Sequence, residues 1–366
     1  MGEVSVCLKG NKMQLDISRL DPNFMEKSIT AKADYTWLNV LDEPIQIHGL
    51  AVKEENMFAR MPVDTAKSVS EGVYELNFHT AGGRARFKTN SRLLAFIAES
   101  RFEGGMNHMP LSGSAGLDVY ANGKFIDGVR PVFGENGLFE NIIYHLPEGE
   151  KNIEVNFPLY NGLKSLYVGI CPGSSILPPE KYAIQKPIVY YGSSITQAGC
   201  ASRPGNSYQG HISRWLNADY INLGFSGNGR GEREMAEYIA SLEMSAFVLD
   251  YDHNAYNPAY LNDTHEAFFK IIRNAQPLLP VIFVSRPDTG KDIIDDSKRR
   301  AVIKATYERA KKSGDRHVYY IDGRRLFGTK DRDACTVDNT HPNDLGFYRM
   351  AKTIYPVLKK AFEESI

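Results

Sequence analysis

Cysteine is scarce in this chain. Four residues in 366, at positions 7, 171, 200 and 335, are too few and too scattered for a disulfide scaffold or a zinc ribbon. Cys200 and Cys335 each lie near a candidate site residue. They read as unpaired thiols, with a staple between two loops as the sharper alternative. An excess of either charge is also lacking: 43 basic against 44 acidic residues leave a net charge of −1. No global field therefore draws the chain to nucleic acid or to an anionic membrane. No apolar run approaches the length of a bilayer span. The opening MGEVSVCLKG lacks the charged-then-apolar layout of a signal peptide, so the expectation is a cytoplasmic protein or one whose leader has been removed. What remains is 42% hydrophobic, enough for ordinary globular cores, and long enough for two domains.

The first half reads as β-rich. WLNV, VYELNF, RARFKT, LLAFIAE, LDVYA, KFIDGV and NIEVNF are short aliphatic, β-branched and aromatic runs separated by turn signals. Gly82-Gly83 and Asn122-Gly123 suit tight hairpin turns. Residues 1–175 are expected to form an all-β sandwich of jelly-roll type. Trp37, Tyr74, Phe78, Phe87, Phe102 and Tyr120 are read as filling its core, with a sugar-binding face as the alternative. Residues 176–186 read as a linker, broken by Pro178-Pro179.

The period changes at residue 187. PIVYY, DYINL, AFVLD, PVIFVS and VYYID are short apolar strands, each followed by an amphipathic segment. The last helix is expected from about Asp344 to Glu364. Five such units over 187–366 predict a flavodoxin-like parallel sheet with helices on both faces. Ligands of such sheets sit beyond the carboxyl ends of the strands, so those ends carry the functional reading.

After the first strand, YYGSSITQAG turns at Gly192 and leads toward a segment that can begin a helix. A serine there is exposed at the sheet edge beside unpaired N–H groups, and Ser194 is the candidate nucleophile; a polar helix cap is the plainer reading. The similar Gly173-Ser174-Ser175-Ile176 is rejected, because Pro178-Pro179 follows. After the second strand, NLGFSGNGRGE can point backbone N–H groups at a ligand; it does not fit a dinucleotide loop. After the third comes Asn254, whose side-chain amide can donate to an oxyanion. Asp338 and His341 stand three apart before the last helix, capped by Asn343 or Asp344, where a carboxylate can orient an imidazole that takes the serine proton. No metal is called for, since no second histidine stands at ligand spacing and His265-Glu266 lacks the later histidine of a zinc helix. Thr196 occupies the last position of a Gly-x-Ser-x-Gly elbow, which disfavours that alternative fold.

Together these blocks resemble the SGNH, or GDSL-type, hydrolases over residues 187–366. The resemblance implies a Ser194, His341 and Asp338 triad. It also implies an oxyanion hole from the N–H groups of Ser194 and Gly227 (Gly224 as fallback) and the Asn254 amide. Ser193 replaces the motif's aspartate, Asp252 the third block's glycine and Ala255 its aspartate. GLDVY at 116–120 is similar to the GxDLY signature of a β-sandwich domain that precedes some of these enzymes. The implied activity is a serine esterase removing short acyl groups, acetyl foremost, from carbohydrate through an acyl-serine, with no cofactor. Rival readings are an acyltransferase using the same triad and a non-catalytic carbohydrate-binding protein. Arg203 and Arg230 read either as contacts to an anionic or hydroxyl-rich substrate or as plain loop charges.

Overall fold

The structure, a computed structural model, describes residues 34–102, 104–132, 137–290 and 292–364. The opening MGEVSVCLKG and Cys7 lie outside the described residues, as does the start of the expected first domain.

Two antiparallel sheets stack face to face in the first half. One runs in the order Thr36–Asn39, Leu163–Ile170, Leu94–Ser100, Leu138–Ile143; the other runs Ile176–Leu177, Arg84–Thr89, Lys151–Asn156, Leu117–Ala121, Lys124–Val129, with Gln46–His48 paired to Arg84–Thr89. Phe87, Val119 and Val155 from one sheet meet Phe96, Leu166 and Val168 from the other in a shared core, the sandwich that alternating strands predict. Asn122-Gly123 turns the predicted hairpin: Ala121 pairs with Lys124, and both turn residues have positive φ.

The parallel sheet runs Ala218–Gly224, Ile184–Gly192, Ala246–Asp250, Val281–Val284, Val318–Ile321, and its strands pair parallel throughout. The period of two splits the first strand cleanly. Ile188 and Tyr190 face a core built with helices Tyr208–Leu216 and Asp344–Glu363. Val189 and Tyr191 face one built with Arg233–Ser241, Pro258–Ala275 and Ile293–Lys312. The first strand has the second on one side and the third on the other. A crevice therefore opens at their carboxyl ends, where the connections leave in opposite directions.

Four expectations about local structure fail. VYELNF is not a strand: Glu71–Asn77 is a helix, capped by the Ser70 side chain, which accepts from Val73 N. Val73 joins the core of the parallel-sheet layer, so packing against that layer overrides the residues' β preference. Gly82-Gly83 consequently joins a helix to a strand and turns no hairpin. The expected linker is also partly regular, since Ile176–Leu177 adds to the sandwich and the first parallel strand begins at Ile184. Of the six aromatics read as sandwich core, only Phe87 belongs to it. Tyr74 packs on the parallel-sheet core instead, and Phe102 is exposed.

The GLDVY stretch explains how the layers are joined. Leu117, Val119 and Ala121 point into the sandwich, so Asp118 and Tyr120 must point out of it. What they meet is the loop after the first parallel strand. The buried Asp118 carboxylate accepts from Arg203 Nη1 and Gly205 N, each at 2.8 Å, and from Asn156 Nδ2 at 2.9 Å. Arg203 also donates to the Tyr120 hydroxyl and lies 3.8 Å from the Phe125 ring centre. Arg203 is thus committed to the interface. A second tie sits at the opposite end of the strands, where Asp219 accepts from Arg84 and lies 2.9 Å from His48 Nδ1. Removing one partner of a buried ion pair strands the other. Asp118→Ala is therefore expected to cost about 3 kcal/mol, read as a lowered midpoint in denaturant unfolding, with Asn156→Ala costing less.

Candidate active site

Residues 193–200 fold as a series of tight turns, and the first α-helix of this half starts only at Tyr208. The expectation of a helix beginning at Ser194 is thus corrected. Gln197 N donates to Ser193 O and Gly199 N to Ser194 O, which makes a single helical turn. Ala198 and Cys200 then take positive φ, 70° and 76°, and end it. What the turn leaves is the Ser194 N–H, which has no hydrogen-bond partner among the described residues.

Ser194 and His341 meet although 147 residues separate them: Oγ lies 2.9 Å from Nε2. His341 Nδ1 lies 2.7 Å from Asp338 Oδ2, and the other oxygen of Asp338 accepts from His341 N and Thr340 N at 2.7 and 3.1 Å. Burial pushes this carboxyl up, but the His341 backbone and ring N–H groups outweigh it and hold Asp338 below the usual carboxylate range. An ionised carboxylate only accepts, so Nδ1 carries the ring proton and Nε2 presents a lone pair to the Ser194 hydroxyl. The Asp338–His341 loop is fixed by the bond from Asn343 N to Cys335 O, and Asn343 caps the last helix by accepting from Gly346 N.

The second strand's loop carries Gly227, with φ at +68° and an N–H that has no partner among the described residues. Gly224 N is instead taken by Asn222 Oδ1. Arg230 Nε donates to Gly227 O and Nη1 to the Tyr256 hydroxyl, so this arginine braces the loop. Asn254 Nδ2 donates to Phe225 O at 3.0 Å, which ties the third strand's end to the same loop and leaves its second amide hydrogen available. The residues that depart from the family blocks have structural work here. The Asp252 carboxylate accepts from Arg286 N, and Arg299 Nη1 donates to the carbonyls of Asp252 and Ala255. Burial pushes Asp252 up to about 6.

Sequence reasoning missed the contribution of the sandwich layer. The Tyr160 hydroxyl donates to Ser194 O at 3.1 Å. Gln197 Nε2 donates to His79 Nδ1 and Leu159 O, each at 3.0 Å, while its Oε1 accepts from Ser226 N. Burial, with help from Arg60, lowers His79 to about 3, so it is a neutral acceptor. One glutamine therefore links the Ser194 turn, the glycine loop and the sandwich. The His108 ring lies 5.8 Å from that of His341, tilted by 57°. Only Gln197, inside the Ser194 turn, stood near a visible motif. Cys171, Cys200 and Cys335 are free thiols, so no staple joins the loops. Burial and the Asp338 charge push the Cys200 thiol up to about 11, leaving it neutral beside the serine.

The approach of the second strand to the Ser194 turn leaves no room for a side chain. A Cβ at Gly224 would lie 2.2 Å from Gln197 N and 2.5 Å from Thr196 C. Both are backbone atoms, so the turn itself would have to shift. Gly224→Ala is expected to destabilise by about 1–3 kcal/mol and to reduce turnover, checked by unfolding and kcat on the same preparation. An unchanged kcat would mean that the turn tolerates displacement.

Comparison with known proteins agrees with this geometry. Residues 185–359 match the GDSL-like lipase/acylhydrolase family, and residues 35–176 match the N-terminal domain of SGNH-hydrolase-type esterases. A crystal structure from Bacteroides ovatus assigned as a GDSL-like lipase is similar at 30% identity and a TM-score of 0.81, over 90% of this chain and 98% of that one. A salicylyl-acyltransferase from a tetracycline biosynthetic pathway aligns at 22% identity and a TM-score of 0.74, over 89% and 97%. A family two carbohydrate esterase from Clostridium thermocellum, in complex with cellohexaose, aligns at 14% and 0.59, over 87% and 99%; these last two show the fold alone. No curated protein matches the chain. The chain belongs to the GDSL-like lipase/acylhydrolase family, and it is a carboxylic ester hydrolase.

Proposed function

We propose that Ser194 is the nucleophile of an esterase that removes short acyl groups, acetyl foremost, from a carbohydrate. The observation that carries this reading is the unbroken chain of contacts from Ser194 Oγ through the His341 ring to the Asp338 carboxylate. His341 takes the serine proton as Oγ attacks the ester carbonyl, and Asp338 holds the ring and stabilises the imidazolium. The N–H groups of Ser194 and Gly227 and the Asn254 amide receive the oxyanion, each well-placed donor contributing about 3–4 kcal/mol. His341 returns the proton to the departing alcohol. An acyl-serine remains, and water attacks it with His341 as base.

A polar recess supports the sugar side of the reading. A cavity of about 400 Å³ opens beside Asn339 and Thr340 and is lined by His253, Arg286, Asp292 and Asp295 among others. Such a lining suits hydroxyl groups better than an acyl tail. The fold likeness to the cellohexaose-bound esterase and to an acetyl xylan esterase from Butyrivibrio proteoclasticus points the same way. The likeness to the salicylyl-acyltransferase supports a second reading, in which an alcohol replaces water at the second step.

Two outcomes are expected. Ser194→Ala should lose at least about a thousandfold in turnover of a chromogenic acetyl ester, and acetate should appear without any added acceptor alcohol; equal activity of the two proteins would exclude Ser194, and acetate only with an acceptor would favour transfer. Because a general base must be neutral to act, kcat/KM should fall on the acid side of the pH profile. Asp338 does not supply that limb: its folded-state pKa is depressed, so its contact with the ring persists until pH falls through that lowered value. A profile with no acid limb would contradict the assignment of His341 as the base.

A further inference from the structure

We propose that His108, Cys200 and His341 form a binding site for a thiophilic divalent cation, zinc being the test case, and that its occupancy reversibly switches off ester hydrolysis. The blocking half of this proposal rests on His341 being the base; the binding half does not.

One ligand atom from each of the three residues lies within 4.8 Å of the other two. A tetrahedral zinc ion with one sulfur and two nitrogen ligands needs separations of about 3.3–3.8 Å. The three side chains would have to draw together to hold the ion. Both imidazoles are already set in the ligating tautomer. His341 gives its Nδ1 proton to Asp338, and His108 Nδ1 lies 2.9 Å from Asn107 Oδ1, a carbonyl oxygen that can only accept. Each ring therefore has an Nε2 lone pair available and an oxygen on its far nitrogen, the outer-shell arrangement of metal-bound histidines. Cys200 is fixed beside them by a backbone held at positive φ. The turn that carries it passes directly under the ring, since a Cβ on Gly199 would lie 3.4 Å from His341 Cδ2. The three ligands come from three separate segments, one of them in the sandwich layer. A sulfur and two imidazoles select zinc or copper over magnesium or calcium.

Binding is a proton exchange without redox change. The Cys200 S–H bond breaks, its proton passes to solvent, and a metal–sulfur bond forms in its place. The lone pair on His341 Nε2 that would accept the serine proton becomes the metal–nitrogen bond. Ser194 then has no base, and hydrolysis stops until a chelator withdraws the ion.

The test uses the full chain and metal chloride alone. Titration with Zn²⁺ should show one ion per chain, and Co²⁺ should give a thiolate-to-metal absorption band that Cys200→Ser abolishes. His108→Ala and Cys200→Ser should each weaken zinc binding at least about tenfold while keeping esterase turnover in chelator. Inhibition of the parent protein should be reversed by EDTA. Ser194→Ala should bind zinc like the parent, a readout that holds whatever its activity. A missing cobalt–thiolate band, or parental zinc affinity in both His108→Ala and Cys200→Ser, would overturn the site. Binding as described with turnover unaffected by saturating zinc would overturn the switch.

Discussion

The contact between Ser194 Oγ and His341 Nε2, 2.9 Å across 147 residues, is the constraint on which the site depends. Neither partner is held by the other. Ser194 is fixed by a tight turn leaving the first strand, and His341 by a loop tied through Asn343 to the start of the last helix. The contact forms because both segments emerge at the same edge of one parallel sheet. Its strands are buried on both faces by two separate cores, so neither can slide without exposing apolar side chains on one face or the other. The sheet's rigidity thus becomes the precision of a proton-transfer distance.

The sandwich layer is part of that precision. Asp118 reaches across to Arg203 and Gly205, and Tyr160 and His79 grip the turn that bears Ser194, directly and through Gln197. Hydrogen bonds to carbonyls and amides of a turn fix its direction more than its energy. What they secure is the buried Ser194 N–H and the exposed Gly227 N–H, both without partners among the described residues, where an oxyanion is the group that would satisfy both. The same crossing places His108 against His341, so one interface both builds the site and lays a second ligand set over its base.

Local chemistry was legible in the chain, and long-range packing was not. Asp338 and His341 sit three residues apart, so their contact is a property of one loop, and the spacing announced it. The five strands showed themselves as apolar runs, because a sheet covered on both faces demands them. Ser194 was marked by the turn after the first strand, and the helix behind it is present but begins only at Tyr208, because Ala198 and Cys200 leave the helical region. VYELNF read as a strand from composition; the Ser70 cap three residues before Val73 was the signal for a helix. Tyr160, His79 and His108 carry no motif at all. Their roles arise only once the sandwich is docked, and the docking rests on the outward-facing half of GLDVY, whose alternation says that Asp118 leaves the sandwich core but not what it meets.

An acyl-serine at position 194 is the species that the whole account requires. Rapid acid quench of the protein turning over a chromogenic acetyl ester, followed by peptide mass spectrometry, detects it directly. The account predicts one acetyl group on the peptide containing Ser194, gained within the first turnover and lost when substrate is exhausted. An acetyl group found on another residue with the same kinetics, or turnover with the Ser194 peptide never modified, would contradict it.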